Sequence, residues 1–447
     1  MTDTDFTSLG LAEPLQRALS DAGYQTPTPI QQQAIPALLA GEDLLGIAQT
    51  GTGKTAAFSL PLLHHLLANG RTAKPRRPLG LILAPTRELA LQISEEIAKF
   101  GQNTKIRQAV IFGGVGQNPQ VRALAKGLEI LIATPGRLLD LANQGHLNLS
   151  NVEFLVLDEA DRLLDMGFIK DVKRIVQQTP KKRHSLLFSA TMPTEVAKLA
   201  KEMLKQPRRV EVTPKQVTVK RIKQKVVLVE NAQKRQALSK VLRTPEVSRA
   251  IVFTRTKHGA NKVARQLETD GISAVAIHGN KSQSARQRAL ASFKSGDVWV
   301  LVATDIAARG IDIDGVSHVI NHELPHEPES YVHRIGRTGR AGASGIAWSF
   351  VDPSERNRLR AVEKLIRFSI ERWELALPEA PQSTESQPNK RQPSESREPS
   401  RRSQGRGRSQ SQSRGNAANE GAGSKPKRRR RRRSNSQGQS AARANSR

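Results

Sequence analysis

The chain of 447 residues contains no cysteine. That excludes a disulfide framework and any thiolate metal site, and it fits a reducing compartment. No uninterrupted apolar run approaches the roughly 18 residues of a membrane span. The first residues carry Asp3, Asp5 and Glu13 where a secretory signal would be apolar, so no such signal is expected. These absences point to the cytoplasm. No aromatic residue follows Trp373. From about Pro381 the chain is mostly Ser, Gln, Gly, Asn, Pro and Arg. That composition cannot bury enough apolar area to offset its ordering entropy, so 379–447 is expected to be a disordered basic tail.

What is abundant is positive charge. The net charge is +30, and the 18 basic and 4 acidic residues of 383–447 supply +14 of it. The tail and the remainder are both basic, which implies a polyanionic partner. Arg406-Gly-Arg408 and the run from Lys425 to Arg433 read as RNA tethers with little sequence choice and strong salt dependence. The arginine run also suits a nuclear-localisation signal, and a charge excess can simply solubilise.

The stretch Phe154-Leu-Val-Leu-Asp-Glu-Ala-Asp161 feeds a short apolar run into three acids. The run reads as a buried parallel strand, and carboxylates at its carboxyl end fall in the crevice where open α/β sheets bind ligands. Upstream, Leu44–Ala48 reads as a strand followed by Gln49-Thr50-Gly51-Thr52-Gly53-Lys54-Thr55 and an apolar-periodic helix. This is a phosphate-binding loop in its proper setting. Gly51 and Gly53 let backbone N–H groups curl round phosphate oxygens, Lys54 reaches the β- and γ-phosphates, and the Thr55 hydroxyl suits Mg2+. Ala48 stands where the strict pattern has glycine. Before it, Pro29 marks a helix start, and Gln31 offers the donor–acceptor pair of an adenine reader, or is an ordinary polar residue on an exposed helix.

Further strands are expected at Leu79–Leu83, Gln108–Phe112, Leu128–Ile132 and Ser185–Phe188. Each ends in a polar cluster, so Pro85-Thr86-Arg87, Gly113-Gly114, Thr134 to Arg137, and Ser189-Ala190-Thr191 should project from one sheet edge. Such groups either contact a sugar-phosphate backbone or punctuate loops. Around 206–218, Gln206-Pro-Arg-Arg and Thr213-Pro-Lys suggest a linker. A second alternation follows, with strands at Lys225–Val229, Ala250–Phe253, Ser273–Ile277, Trp299–Val302, Val319–Asn321 and Ile346–Val351. The fold class is therefore α/β, with two similar lobes facing each other. The second lobe has no phosphate loop but two dense clusters, Ala303-Thr304-Asp305 through Asp312 and His333 through Arg340. Arg337 and Arg340 are either a solvated helix face or arginine fingers that cross to a γ-phosphate.

In this order the clusters resemble the DEAD-box RNA helicases over roughly residues 3–375, with Asp158-Glu159-Ala160-Asp161 as the signature. Phe253–Asn261, Ile277–Gln283 and the basic tail look most like the bacterial RhlE-type subgroup. The resemblance implies two tandem RecA-like domains with parallel sheets, ATP and Mg2+ between them and RNA across both. It implies a lead-in with a glutamine motif (1–31), an ATP-binding domain (32–208), a linker (209–218), a C-terminal domain (219–378) and the tail. By the same resemblance Gln31 reads adenine with Phe6 and Tyr24 nearby, and Ala48, Gln49, Thr50, Gly51, Thr52, Gly53, Lys54 and Thr55 hold the triphosphate. Asp158 holds Mg2+ through water and Glu159 orients the attacking water. Asp161 and His333 link to Ser189 and Thr191, and Asp312 touches the ribose. Pro85, Thr86, Arg87, Gly114, Thr134, Arg137, Thr304 and Asp305 lie on RNA. His322 departs from the family's usual aromatic. The implied activity is RNA-stimulated ATP hydrolysis that opens duplexes or remodels RNA–protein particles, in ribosome assembly or RNA decay. Rival readings are the same engine on DNA and an ATP-dependent RNA clamp.

Overall fold

The computed structural model describes residues 5–49, 51–212, 222–308, 313, 315–339 and 344–377. The expected tail and residues 213–218 of the expected linker lie outside these.

The first sheet contains β1 (Leu44–Ala48), β2 (Gly80–Leu83), β3 (Gln108–Ile111), β4 (Ile130–Ala133), β5 (Phe154–Leu157), β6 (His184–Ser189) and β7 (Arg208–Val212). Their order is β3-β4-β2-β5-β6-β1-β7, all parallel. The inner strands are short apolar runs because both faces are covered. Ile82, Ile132, Phe154, Val156, Leu186 and Phe188 join the core on one face, while their neighbours Leu81, Leu83, Leu131, Leu155 and Leu187 join the core on the other. The strand's period of two thus divides one hydrophobic sequence between two cores.

The second sheet contains β8 (Ile222–Leu228), β9 (Ala250–Phe253), β10 (Ala274–Ile277), β11 (Val300–Ala303), β12 (His318–Asn321), β13 (Gly345–Val351) and β14 (Glu371–Arg372). Its order is β10-β11-β9-β12-β13-β8-β14, again all parallel. Counted from its own first strand, it repeats the first sheet's order: third, fourth, second, fifth, sixth, first, seventh. These are the two tandem RecA-like domains.

One stretch departs from the sequence reading. Residues 208–212, where a linker was expected to begin, form β7 and pair with β1 from Leu44–Arg208 to Ala48–Val212. The strand looked unlike the others because it lies on the edge. Arg208, Arg209 and Glu211 are exposed and Val210 is buried, and charge on an edge discourages further pairing. Among the described residues, no helix is long and apolar enough to cross a membrane.

Candidate functional site

All strands of a parallel sheet end on the same edge, so β1, β2, β4, β5 and β6 deliver their loops together. After β1, Gly51 and Gly53 take φ of 82° and 90°, a left-handed backbone that glycine adopts freely. Gly53 then opens the helix Lys54–Asn69. A Cβ there would collide with the Gln31 amide. Gln31 Nε2 donates to the Gly53 carbonyl at 3.1 Å, and its Oε1 accepts from the Thr28 N–H at 2.8 Å. The Thr28 hydroxyl donates to the Thr52 carbonyl at 2.8 Å. Gln31 is therefore a buried brace of the phosphate loop, neither an exposed helix residue nor free for a base in this conformation. Phe6 and Tyr24 meet edge-to-face at 6.3 Å and line a cavity of about 480 Å³ with Gln16, Gly23, Gln25 and Thr26.

Lys54 is buried, and its Nζ donates to the Ala48 carbonyl at 2.9 Å. The Thr52 hydroxyl donates to the Gln49 carbonyl at 2.8 Å. At the end of β5, burial pushes the Asp158 carboxyl up to about 6, with Lys54 opposing and Glu159 adding to the rise. Asp158 Oδ1 accepts the Glu159 N–H at 2.9 Å. A carboxylate desolvated this far suits a divalent cation, which would restore its charge. Among the described residues no three His, Cys, Asp or Glu side chains gather as a metal cage. The Thr55 hydroxyl, water and phosphate oxygens would complete a Mg2+ shell, the composition that ion commonly takes.

Glu159 has φ 51° and ψ 55°, left-handed for a residue with a side chain. Backbone strain of this kind costs about 1–3 kcal/mol and concentrates at functional sites. Its carboxylate meets Arg162 Nη1 at 2.7 Å, both side chains 4% exposed. Asp161 Oδ2 accepts from the Thr191 N–H at 2.9 Å and its hydroxyl at 3.0 Å. Ser189 Oγ accepts the Asp161 N–H at 3.1 Å and donates to the Thr191 carbonyl at 2.6 Å. Asp161, Ser189 and Thr191 are thus one hydrogen-bonded unit joining β5 to β6.

The second lobe reaches this unit. A cavity of about 710 Å³ is walled by Asp161, Arg162 and Thr191 on one side and Asp305, His333 and Arg337 on the other. His333 is pushed down to about 4, by burial first and then by Arg162, with Asp161 opposing. Arg337 is 4% exposed and donates from Nε to the His333 carbonyl at 3.2 Å. Burial, then Arg162, push its guanidinium down to about 9, while Glu159 acts the other way. Two guanidinium groups from different lobes therefore line one cavity, close enough to Glu159 for its charge to act on Arg337.

Pro85, Thr86, Arg87, Thr134 and Arg137 line a second cavity, of about 540 Å³, which Gly279 and Arg286 close from the second lobe. Thr86 doubles as a helix cap, accepting the Leu89 N–H at 3.2 Å. Gly114 is held against the Arg87 guanidinium, leaving no room for a Cβ. Contacts missed by the sequence reading hold the lobes together here: Glu88 pairs with Arg286 at 2.9 Å, and Gln283 bridges Arg87 and Glu88 at 3.3 and 3.2 Å.

Thr304 and Asp305 do not join that group. Thr304 is buried at the end of β11, and Asp305 lines the other cavity. The Asp305 carboxylate takes a bidentate pair from Arg334, at 2.6 and 2.7 Å. Asp305, expected on RNA, is in this conformation paired with a planar guanidinium that is 1% exposed and also bonded to Asn321 and the Glu323 carbonyl. Thr50, Asp312 and Arg340 lie outside the described residues.

The DEAD/DEAH box helicase model matches residues 28–199, and the helicase conserved C-terminal domain model matches 233–342. The DEAD-box ATP-dependent RNA helicase CshA of Bacillus cereus is 44% identical over 371 residues, covering 83% of this chain and 70% of that protein. CshA of Bacillus subtilis is 44% identical over 369 residues, covering 82% and 73%. The structure of S. cerevisiae Dbp5 bound to RNA and ADP BeF3 shows 34% identity and a TM-score of 0.74, over 83% of this chain and 95% of that one. Mss116 bound to single-stranded RNA and UDP-BeF shows 30% identity and a TM-score of 0.76, over 83% and 81%. The two Bacillus relatives carry the name CshA, so the expected RhlE-type subgroup finds no support in them.

Proposed function

The chain belongs to the DEAD-box ATP-dependent RNA helicases, and from that premise we propose that ATP hydrolysis between its lobes drives local opening of paired RNA. The observation that carries this reading is Arg337, a second-lobe guanidinium buried beside Glu159 and Arg162 of the first. A γ-phosphate placed there would meet charge from both lobes.

In this reading Gln49 to Thr55 cradle the triphosphate on backbone N–H groups and Lys54, and Phe6, Tyr24 and Gln31 serve the base. Gln31 must first exchange its loop contacts for the ligand. Thr55 and Asp158 would hold Mg2+, which when bound neutralises phosphate charge. Glu159 orients the attacking water, and Arg337, with Arg340, offsets charge developing in transfer. The unit of Asp161, Ser189, Thr191 and His333 couples nucleotide to RNA. Dbp5 and Mss116 hold RNA in their structures, which supports RNA across the cavity lined by Thr86, Arg87, Thr134 and Arg137. A closed arrangement that binds ATP and bent or single-stranded RNA better than the open one would strip pairs from a duplex. We divide the chain into the lead-in 1–31, an ATP-binding lobe from 32 through β7, and a second lobe from β8. We place the protein in the cytoplasm, serving ribosome assembly or RNA decay; crosslinking in cells and sequencing of the attached RNA would tell which.

Glu159→Gln tests the chemistry. It should retain nucleotide binding and lower RNA-stimulated kcat by about 100- to 10,000-fold, the usual worth of a positioned base. Equal turnover in variant and parent would refute the role.

A further inference from the structure

Basic side chains form a row on the second lobe that the site above does not use. His258, Lys262 and Arg265 recur one and two turns apart on the helix Lys257–Thr269, all exposed, while Ala260, Val263, Ala264 and Leu267 bury the opposite face. With Asn261, Gln266 and Thr269 they line a shallow groove of about 400 Å³. The helix has a single acid, Glu268, and it is not part of that wall.

His278 directly precedes Gly279, which lines the cavity between the lobes. It follows β10, is 3% exposed, and neither ring nitrogen has a hydrogen-bond partner. Buried polar atoms are nearly always paired, so two orphans on one ring call for a ligand or water. Burial first, then Lys281, Lys257, Arg286 and His258, hold its pKa below the ordinary value. The charges that act on the ring are thus basic ones. Arg286 lines the cavity that holds Arg87 and Arg137, and His258 lines the groove. Arg286 Nε and Arg137 Nη1 are also buried without a partner. Within the cavity Glu88 and Asp140 pair with Arg286 and Arg137, so the unopposed basic side chains lie outward of it, toward the groove.

We propose that Lys281, Lys257, His258, Lys262 and Arg265 form an auxiliary phosphate-contact track for the RNA strand where it leaves the cavity between the lobes. The inference rests on that cavity being the RNA path. Lys257, Lys262 and Arg265 span about 12 Å along the helix, and a nucleic-acid backbone presents several charges over such a length. Backbone contacts of this kind lengthen the footprint without choosing sequence.

The test uses the full chain carrying Lys262→Gln, Arg265→Gln and Lys281→Gln together. None of these residues belongs to the nucleotide machinery, so unstimulated ATPase should equal that of the parent and report intact folding. Affinities for an 8-nucleotide and a 40-nucleotide RNA are measured against salt. Each phosphate contact to a single strand contributes about 0.7 to the log–log slope, so three lost contacts should flatten the long-RNA slope by about 2. Between about 50 and 200 mM salt that is a roughly 20-fold smaller loss of affinity. The short-RNA slope should not change. The basic tail is present in both proteins and cancels in the difference. An unchanged long-RNA slope, or equal losses on both lengths, overturns the track. If the parent binds neither RNA, the RNA path itself fails. Photo-crosslinking of thiouridine RNA to the parent gives a second reading: adducts on 257–269 support the track, and adducts confined to the cavity residues overturn it.

Discussion

Lys54 and Lys234 occupy the same place in the two lobes. Each is the first residue of the helix that follows the sixth strand along its sheet, β1 in one and β8 in the other. Their surroundings are opposite. Lys54 is preceded by a loop with Gly51 and Gly53 in left-handed conformation, and its ammonium sits at a strand-end carbonyl near Asp158. Lys234 is preceded by the 3-10 turn Asn231–Gln233, which has no glycine. Its ammonium, 1% exposed, meets Glu355 at 2.5 Å and Asp352 at 3.0 Å. Burial works to raise the Asp352 carboxyl, but hydrogen bonds from Ser354 and Lys234 and the lysine's charge hold it well below the usual carboxylate range. One topological position is thus a glycine loop, which we propose as the phosphate socket, in the first lobe and a closed ionic joint in the second. A repeated fold decides where loops project, and a few residues decide which loop is open to a ligand.

If chemistry is divided in this way, removing the second lobe's contribution should be severe. Arg337→Ala should lower RNA-stimulated kcat by about 1,000-fold or more, the worth of an arginine finger, with nucleotide affinity little changed. A fall of less than tenfold would break the division. The two lysines sharpen it. Lys234→Met removes the ammonium from the buried Glu355, which keeps Arg358 only at 3.4 Å, and from the half-buried Asp352, and should cost about 3–5 kcal/mol in urea unfolding, with kcat of the folded fraction intact. Lys54→Met should do the reverse, abolishing nucleotide binding with stability nearly unchanged. The smallest effect concerns His322. Burial, then Lys234, push this ring down to about 4, with Glu323 opposing, and its Nδ1 has no partner. An unfolded histidine takes up its proton near pH 6.5, so this contribution is complete above that pH and fades as pH falls toward 4. About 2 kcal/mol should be gone at pH 5. His322→Phe should reduce the loss between pH 8 and 5 by about that amount; an unchanged loss would assign it to other groups.

The inner strands were legible because strands buried on both faces appear as unbroken apolar runs, as Leu155-Val156-Leu157 and Val300-Leu301-Val302 do. The phosphate loop was legible because its glycines and lysine must be adjacent in sequence. β7 was not, since an exposed edge strand with Arg208, Arg209 and Glu211 has the composition of a linker. Nor were the pairs Glu88–Arg286 and Asp305–Arg334, which depend on tertiary approach and leave no spacing signal. The type and spacing of Gln31 leave it open between an adenine reader and an ordinary polar residue, because its brace on Gly53 follows from the loop's path.

The raised Asp158 carboxyl has a measurable thermodynamic consequence. Pushed up to about 6 by burial, this carboxyl would take up its proton well above the usual carboxylate range. A divalent cation bound directly at this carboxylate would release that proton to the solvent. Titration calorimetry in buffers of different ionisation enthalpy would then give different heats for one binding event, diverging at pH 6 and converging at pH 8.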